Sequence, residues 1–215
     1  MGTEVRSLSL LPLQADIVQW LNIDVKYRTR LKSQKIKDTG SNVNKGLYGQ
    51  QVERSIGLKC SNRPLDFVDG ELKTFSNRQT VAITCLDVED VVNNSFKDSK
   101  LFKKIGKVLF LCRETSKTKT ISMDQSPKLL VELEQQYNNI RSKIIASIEK
   151  KEKLRTLNGV NGFSRQGKSD LLQIRTKDAS KPTPIVYNGI LLSDRKRAFY
   201  FTSNFTRMYL HEILV

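Results

Sequence analysis

Residues 64–75 constrain the fold more than any other stretch, because two short segments of β type flank a strong turn signal there. Residues 65–68 form the first segment and residues 71–75 the second. The Asp-Gly pair at positions 69–70 lies between them and is typical of a tight turn in a hairpin. We therefore expect two neighbouring strands at this point, with their charged side chains close together.

The charged side chains of this segment have the spacing of a magnesium site. Successive side chains of a strand point to opposite faces, so Glu71 and Lys73 share one face. If the two segments lie side by side, Asp66 approaches Glu71. Mg²⁺ takes one or two carboxylates from a protein, and a nearby lysine can orient the attacking water. The D-x4-E-x-K pattern is equally compatible with a polar strand edge whose charges are solvated.

The charge of the chain indicates a polyanionic partner. Its 215 residues carry a formal net charge of +15, and residues 26–37 are especially basic. Such a field attracts nucleic acid first and an anionic membrane surface second. No apolar run approaches the ~20 residues of a membrane span.

The histidine and cysteine content limits the chemistry that the chain can perform. With a single histidine, His211, zinc sites and Ser–His or Cys–His catalysis have little support. The three cysteines, Cys60, Cys85 and Cys112, are odd in number and widely spaced. This pattern predicts reduced thiols and a cytoplasmic protein. Hydrolysis would rest on carboxylates, lysines and a hard metal ion.

The rest of the pattern predicts strands and helices without regular βαβ alternation. Runs rich in Val, Ile and Leu predict buried strands at residues 79–86 and 107–112, and further strands are expected at residues 170–176 and 198–202. Apolar positions that step by three and four predict a long helix over residues 127–154, and shorter helices are expected near residues 12–21, 46–56 and 204–214. The fold class is therefore α/β or α+β with a mostly mixed central sheet.

Five separated pieces of the chain occur in an order and spacing that resemble one family. They are residues 45–53 (KGLYGQQVE), Asp66 with residues 71–73 (ELK), residues 104–110 (KIGKVLF), residues 172–177 (LQIRTK) and residues 197–206 (RAFYFTSNFT). Together they resemble the MutH family of DNA endonucleases, which comprises a strand-nicking repair enzyme and related restriction enzymes that cut at GATC. The resemblance implies an α/β domain of the restriction-endonuclease-like PD-(D/E)xK fold, with a mixed central sheet flanked by helices.

The resemblance also implies the residues that bind the metal ion. Asp66 and Glu71 would hold Mg²⁺, with the Leu72 carbonyl as a further ligand. Lys73 would position the attacking water.

Two more active-site residues follow from the same resemblance. Glu53 matches an additional carboxylate, and Lys104 matches a second lysine that contacts the scissile phosphate or the water. The family aspartate usually lies one residue further from the glutamate than Asp66 lies from Glu71. Asp69 lies much nearer and suits the turn, so Asp66 is the preferred ligand and Asp69 the alternative.

Four residues are expected to contact DNA. Lys45, Arg175 and Tyr200 match positions that contact bases or phosphates in the family. Arg175 suits guanine, because bidentate pairing of arginine with guanine in the major groove is the commonest specific base contact. Lys177 is expected to contact phosphate, which adds affinity without sequence choice.

The predicted function is that of a type II restriction endonuclease. It would cut double-stranded DNA at GATC or a related site in the presence of Mg²⁺, leaving a 5′-phosphate and a 3′-hydroxyl. One domain, residues 1–215, would hold a catalytic half near 40–115 and a recognition half near 125–215, with the DNA cleft between them. The strong positive charge favours restriction over nicking by a recruited repair enzyme. The alternatives are a strand-nicking mismatch-repair endonuclease and a catalytically inactive DNA-binding relative, and the oligomeric state stays open between a monomer and a dimer on DNA.

Overall fold

A computed structural model of the chain describes residues 52, 65–66, 70–76, 79–115, 117–159, 170–177 and 182–215. The helix predicted near residues 12–21 and the basic stretch at 26–37 lie outside these residues. Of the helix predicted near 46–56, only Val52 is described; it is helical and buried.

A mixed three-stranded sheet contains the predicted catalytic strand. Strand β1 (Glu71–Phe75) lies parallel to β3 (Lys107–Cys112), and β4 (Thr118–Ser122) pairs antiparallel with the other edge of β3. The central strand β3 is apolar from residue 108 to residue 112 and almost fully buried. A continuous apolar run is what a strand covered on both faces requires. The prediction of a mixed sheet is therefore confirmed.

A second sheet of four antiparallel strands has one buried face and one solvated face. Its order is β2 (Val81–Cys85), β9 (Arg197–Phe201), β6 (Leu172–Thr176) and β5 (Leu157–Asn158). Along β6 the buried and solvated positions alternate, as expected of a sheet that packs on the core through one face only.

Four α-helices flank these sheets in the described part of the chain. They are α1 (Val88–Asn93), α2 (Lys100–Ile105), α3 (Pro127–Glu149) and α4 (Ser203–Tyr209). Side-chain oxygens of Asp87, Ser99 and Thr202 accept hydrogen bonds from the first turns of α1, α2 and α4. These caps satisfy amide groups that a helix start leaves without a partner. The molecule is thus a mixed α/β structure in which helices flank a mixed sheet.

Three of the predicted element boundaries were wrong. The long helix ends at Glu149 rather than near residue 154, because Lys151 adopts a φ of 55° and the Leu154 amide donates to the Leu192 carbonyl. The last helix stops at Tyr209, and a 3₁₀ turn follows it at His211–Ile213. The strand predicted from residue 65 does not begin there, since Leu65 is irregular and Asp66 lies in a bend.

A short hairpin of β7 (Ile185–Tyr187) and β8 (Ile190–Ser193) was not predicted. The two residues of its turn, Asn188 and Gly189, have φ values of 48° and 77°. Positive φ at both positions defines the turn that matches the twist of a two-residue hairpin.

The two larger sheets share one hydrophobic core. The ring of Phe110 on β3 lies 5.9 Å from the ring of Phe201 on β9 and 5.7 Å from that of Phe205 on α4. Phe201 and Phe205 stack on each other at 3.9 Å. All three rings are almost fully buried, so the aromatic cluster joins the mixed sheet to the antiparallel sheet.

Gly159 provides a test of packing between α3 and the antiparallel sheet. A Cβ atom at this position would lie 2.5 Å from the Cβ and from the Oε1 of Gln136, which is buried. The same Gln136 Oε1 accepts hydrogen bonds from the Leu171 and Leu172 amides, each at 2.9 Å. We expect Gly159→Ala to lower the free energy of unfolding by roughly 1–3 kcal/mol, the usual cost of overpacking. Urea unfolding measures it.

Gly106→Ala is the matched control for this substitution. Its Cβ would meet only the Phe102 carbonyl at 3.4 Å, and its backbone is already helical. Equal stability of the two variants would contradict the predicted clash.

Candidate active site

Glu71 is buried and bears a charge that two lysines balance. It is the first residue of β1 and is only 3% exposed. The Lys73 Nζ lies 2.6 Å from Glu71 Oε1, and the Lys104 Nζ lies 2.9 Å from Oε1 and 2.8 Å from Oε2. Burial of a carboxylate is costly unless it is paired and hydrogen-bonded, and the two ammonium groups meet that requirement.

Lys73 and Lys104 reach Glu71 from different elements. Lys73 follows Glu71 by two positions on β1 and therefore lies on the same face of the strand. Lys104 lies in the last turn of α2, which is anchored by the fully buried Leu101 and Ile105. The helix thus brings in a cation from 33 positions along the chain, whereas Lys73 lies on the face of β1 that the alternation of a strand predicted.

Asp66 lies beside the same strand. Its Oδ2 accepts a hydrogen bond from the Leu72 amide at 2.9 Å, which ties the bend at Asp66 to β1 directly next to Glu71. Asp69 lies outside the described residues. The preference for Asp66 as the second carboxylate stays a prediction, and its position next to Glu71 is compatible with it.

The charges and lone pairs of this cluster fit a magnesium ion. Asp66, Glu71, Lys73 and Lys104 together are formally neutral, so a bound Mg²⁺ would leave the cluster positively charged, and a DNA phosphate would offset part of that charge. A carboxylate offers about four lone-pair positions, and the two lysines use three contacts on Glu71. Mg²⁺ needs only one or two carboxylates when water and phosphate complete its shell. Within the described part of the chain, no three His, Cys, Asp or Glu side chains come together as a metal site.

A second cluster of predicted residues lies on the antiparallel sheet. The Arg175 guanidinium lies 5.5 Å from the centre of the Tyr200 ring and makes a long contact of 3.4 Å with Thr80 Oγ1. The Lys177 Nζ lies 3.2 Å from Cys85 Sγ. Arg175 is exposed, and its guanidinium lies within cation–π distance of the Tyr200 ring.

Burial raises the pKa of the Tyr200 hydroxyl above its usual value, while the nearby Arg175 and Lys177 charges act in the opposite direction. The hydroxyl is therefore protonated at neutral pH and can both donate and accept a hydrogen bond. A neutral tyrosine near these two cations adds no repulsion toward a phosphate backbone.

The described residues thus bring together two groups of the predicted set. Asp66, Glu71, Leu72, Lys73 and Lys104 lie around the start of β1, and Arg175, Lys177 and Tyr200 lie on β6 and β9. Glu53 and Lys45 lie outside the described residues. Sequence reasoning missed Thr80 as a partner of Arg175, and no local signal could have found a contact across 95 positions.

Two comparisons with known proteins were without a match. None of the protein-family models matches the chain, and a search of curated proteins returned no match either.

No helix among the described residues is both long and apolar enough to cross a bilayer.

Proposed function

We propose that the protein is a Mg²⁺-dependent, sequence-specific DNA endonuclease of the type II restriction class, with a fold of the PD-(D/E)xK kind. GATC or a related sequence is the proposed site, and the products carry a 5′-phosphate and a 3′-hydroxyl. The observation that carries this function is the buried Glu71 with two lysine ammonium groups on its carboxylate and Asp66 on the neighbouring amide. The buried Glu71, the half-buried Asp66 and two lysines at one strand end form the charge set that hydrolysis of a phosphodiester needs.

Each residue of the cluster has a role in this chemistry. Asp66, Glu71 and the Leu72 carbonyl would hold Mg²⁺, which when bound neutralises charge on the phosphate and favours the hydroxide form of water. Lys73 would orient the attacking water, and Lys104 would contact the scissile phosphate. Glu53 would supply an additional carboxylate.

When DNA binds, its scissile phosphate becomes a second anion that Lys73 and Lys104 can contact in addition to Glu71. In the free protein both ammonium groups are bound to Glu71. A scissile phosphate next to the cluster offers them an alternative acceptor with negative charge that grows during attack. Because the two side chains are already directed at this point, little reorganisation is needed at the moment of reaction.

The overall charge supports binding of DNA without a recruiting partner. A formal net charge of +15 gives a large, salt-dependent attraction to the phosphate backbone. This favours a stand-alone restriction enzyme over a repair nickase that another protein recruits. The intact set of two carboxylates and two lysines favours an active enzyme over a DNA-binding relative without activity.

The test is incubation of supercoiled plasmid with the protein in Mg²⁺ and in chelator. We expect linear fragments in Mg²⁺ and intact plasmid in chelator, with cut ends that share one sequence on both strands. Nicked circles alone would indicate the strand-nicking alternative. A shift of the plasmid on a gel without cleavage would overturn the enzymatic function and leave a DNA-binding protein.

Arg175→Ala is expected to lose discrimination at one base pair of the site. A bidentate arginine–guanine pair contributes about 1–3 kcal/mol, so cleavage of the preferred site should fall while cleavage of the variant substituted at that base pair stays unchanged. Lys177→Ala is the comparison, since loss of a phosphate contact weakens all sites alike and lowers the salt slope by about one. The measurement is cleavage of singly substituted sites across salt concentrations. If Arg175→Ala lowers the cleavage of every site by the same factor, Arg175 contacts phosphate rather than a base.

A further inference from the structure

The solvated face of the antiparallel sheet carries an ordered row of polar side chains. On β6 the neighbours of Gln173 along the strand, Leu172 and Ile174, are fully buried, so Gln173 projects from the opposite face. Tyr200 on β9 lies directly opposite Gln173 in the antiparallel register. Its own neighbours, Phe199 and Phe201, are buried. Gln173 and Tyr200 therefore lie side by side on the solvated face.

This row lies beside Arg175 and shares its face. Arg175 follows Gln173 by two positions on β6, and its guanidinium lies over the Tyr200 ring at 5.5 Å. Residues two apart on a strand are separated by about 6.8 Å, and base pairs are stacked about 3.4 Å apart. The Gln173 amide is thus within about two base pairs of any base that Arg175 contacts.

We propose that Gln173 is a further specificity-determining residue and that it recognises an adenine within two base pairs of the guanine bound by Arg175. This inference rests on the proposed DNA-cleaving function and names a further base of its substrate.

The chemistry of the side chain distinguishes adenine from the other bases. The glutamine amide carries one acceptor and a donor group, which match the N6 amino group and the N7 of adenine in the major groove. Arg175 and Lys177 carry charges that any phosphate attracts, whereas an uncharged amide among these cations adds little to backbone affinity.

The test is selection of bound sequences from a randomised duplex library in the presence of chelator, which keeps the DNA uncut. Wild-type protein is expected to enrich a site with guanine and adenine at fixed positions. Gln173→Ala should lower the preference for that adenine by roughly 5- to 150-fold and leave the guanine preference and the salt slope unchanged. Gln173→Glu, which only accepts hydrogen bonds, should shift the preference at the same position toward cytosine.

Gln135→Ala is the matched control, since Gln135 is an exposed glutamine on α3 and not on the sheet. It should select the wild-type site. If Gln173→Ala also selects the wild-type site with the same preference at every position, Gln173 does not recognise a base. The same conclusion follows if wild-type protein enriches no sequence. If wild-type protein enriches a site but cuts no plasmid in Mg²⁺, the enzymatic function is wrong, and the selections with Gln173→Ala still decide the role of Gln173.

Discussion

Glu71→Gln is expected to lower plasmid cleavage in Mg²⁺ by about 10³-fold or more while DNA binding stays equal or becomes tighter. The substitution keeps the shape of the side chain but removes the negative charge that would hold the metal ion. It also removes repulsion between Glu71 and phosphate, which explains the retained or increased affinity. Cleavage on gels and filter binding in chelator measure the two effects separately.

The same substitution has a consequence for stability. Lys73 and Lys104 would lose their shared counter-ion, although both reach solvent, with 16% and 21% of their side chains exposed. The free energy of unfolding should therefore fall, by less than the roughly 3–5 kcal/mol that a fully buried broken pair costs. Glu149→Gln is the isosteric control, because Glu149 is exposed at the end of α3 and should behave as wild type. Cleavage within tenfold of wild type for Glu71→Gln would exclude Glu71 from the reaction.

The same assay assigns the second carboxylate. Asp66→Asn should abolish cleavage if Asp66 is the metal ligand, as its position beside the Leu72 amide suggests. Retained cleavage in Asp66→Asn together with loss in Asp69→Asn would transfer the role to Asp69.

Lys73→Met is expected to slow cleavage by at least ~10²-fold, the low end for loss of a positioned group that transfers protons or stabilises charge. The Lys73 Nζ lies 2.6 Å from Glu71, so methionine keeps most of the volume but removes the cation at the point where water would attack. Lys104→Met should act in the same direction with a smaller loss. Single-turnover cleavage of a defined duplex separates this effect from weaker binding.

Lys103→Met is the control for both lysines. Lys103 precedes Lys104 on α2 but is exposed, so it should change affinity slightly and leave the single-turnover rate unchanged. A near-wild-type cleavage rate for Lys73→Met would contradict the role of Lys73 in orienting the attacking water. An equally large loss of rate for Lys103→Met would show that the effect comes only from the local positive charge.

Strong periodic signals in the sequence predicted the larger elements correctly. The apolar run at Lys107–Cys112 became the buried central strand, and the three-and-four spacing from residue 127 became the longest helix in the described part of the chain. The side-chain alternation of a strand also placed Glu71 and Lys73 on one face. These features depend on local geometry, which the order of residues determines directly.

Short or polar elements gave weaker signals. Strand β4 has the sequence TKTIS, in which Thr and Ile favour a strand, but only Ile121 is buried, so the segment has no apolar pattern that marks it in the sequence. The hairpin at 185–193 carries the Asn-Gly pair at 188–189, which is a strong turn signal, but its strands of three and four residues are too short to show alternation. The two strands of this hairpin were therefore not predicted, although the sequence contains the signal for its turn.

Contacts across long separations could not be predicted from spacing. Lys104 meets Glu71 over 33 positions because α2 lies in the connection between the parallel strands β1 and β3. Arg175 meets Thr80 over 95 positions because β6 and β2 both pair with β9. Only the resemblance to a family had suggested Lys104, and no pattern had suggested Thr80.

The aromatic cluster of Phe110, Phe201 and Phe205 fixes the distance between Lys73 on β1 and Tyr200 on β9. Phe110 lies opposite Lys73 in the parallel register of β1 and β3, and Phe201 follows Tyr200 on β9. Two buried rings in contact thus lie between Lys73 and Tyr200, and relative movement of the two sheets would break close packing. In an enzyme of the proposed kind, this rigid spacing would place the cut at a constant number of nucleotides from the recognised base. The DNA rather than the protein would have to bend to bring the scissile phosphate to Glu71.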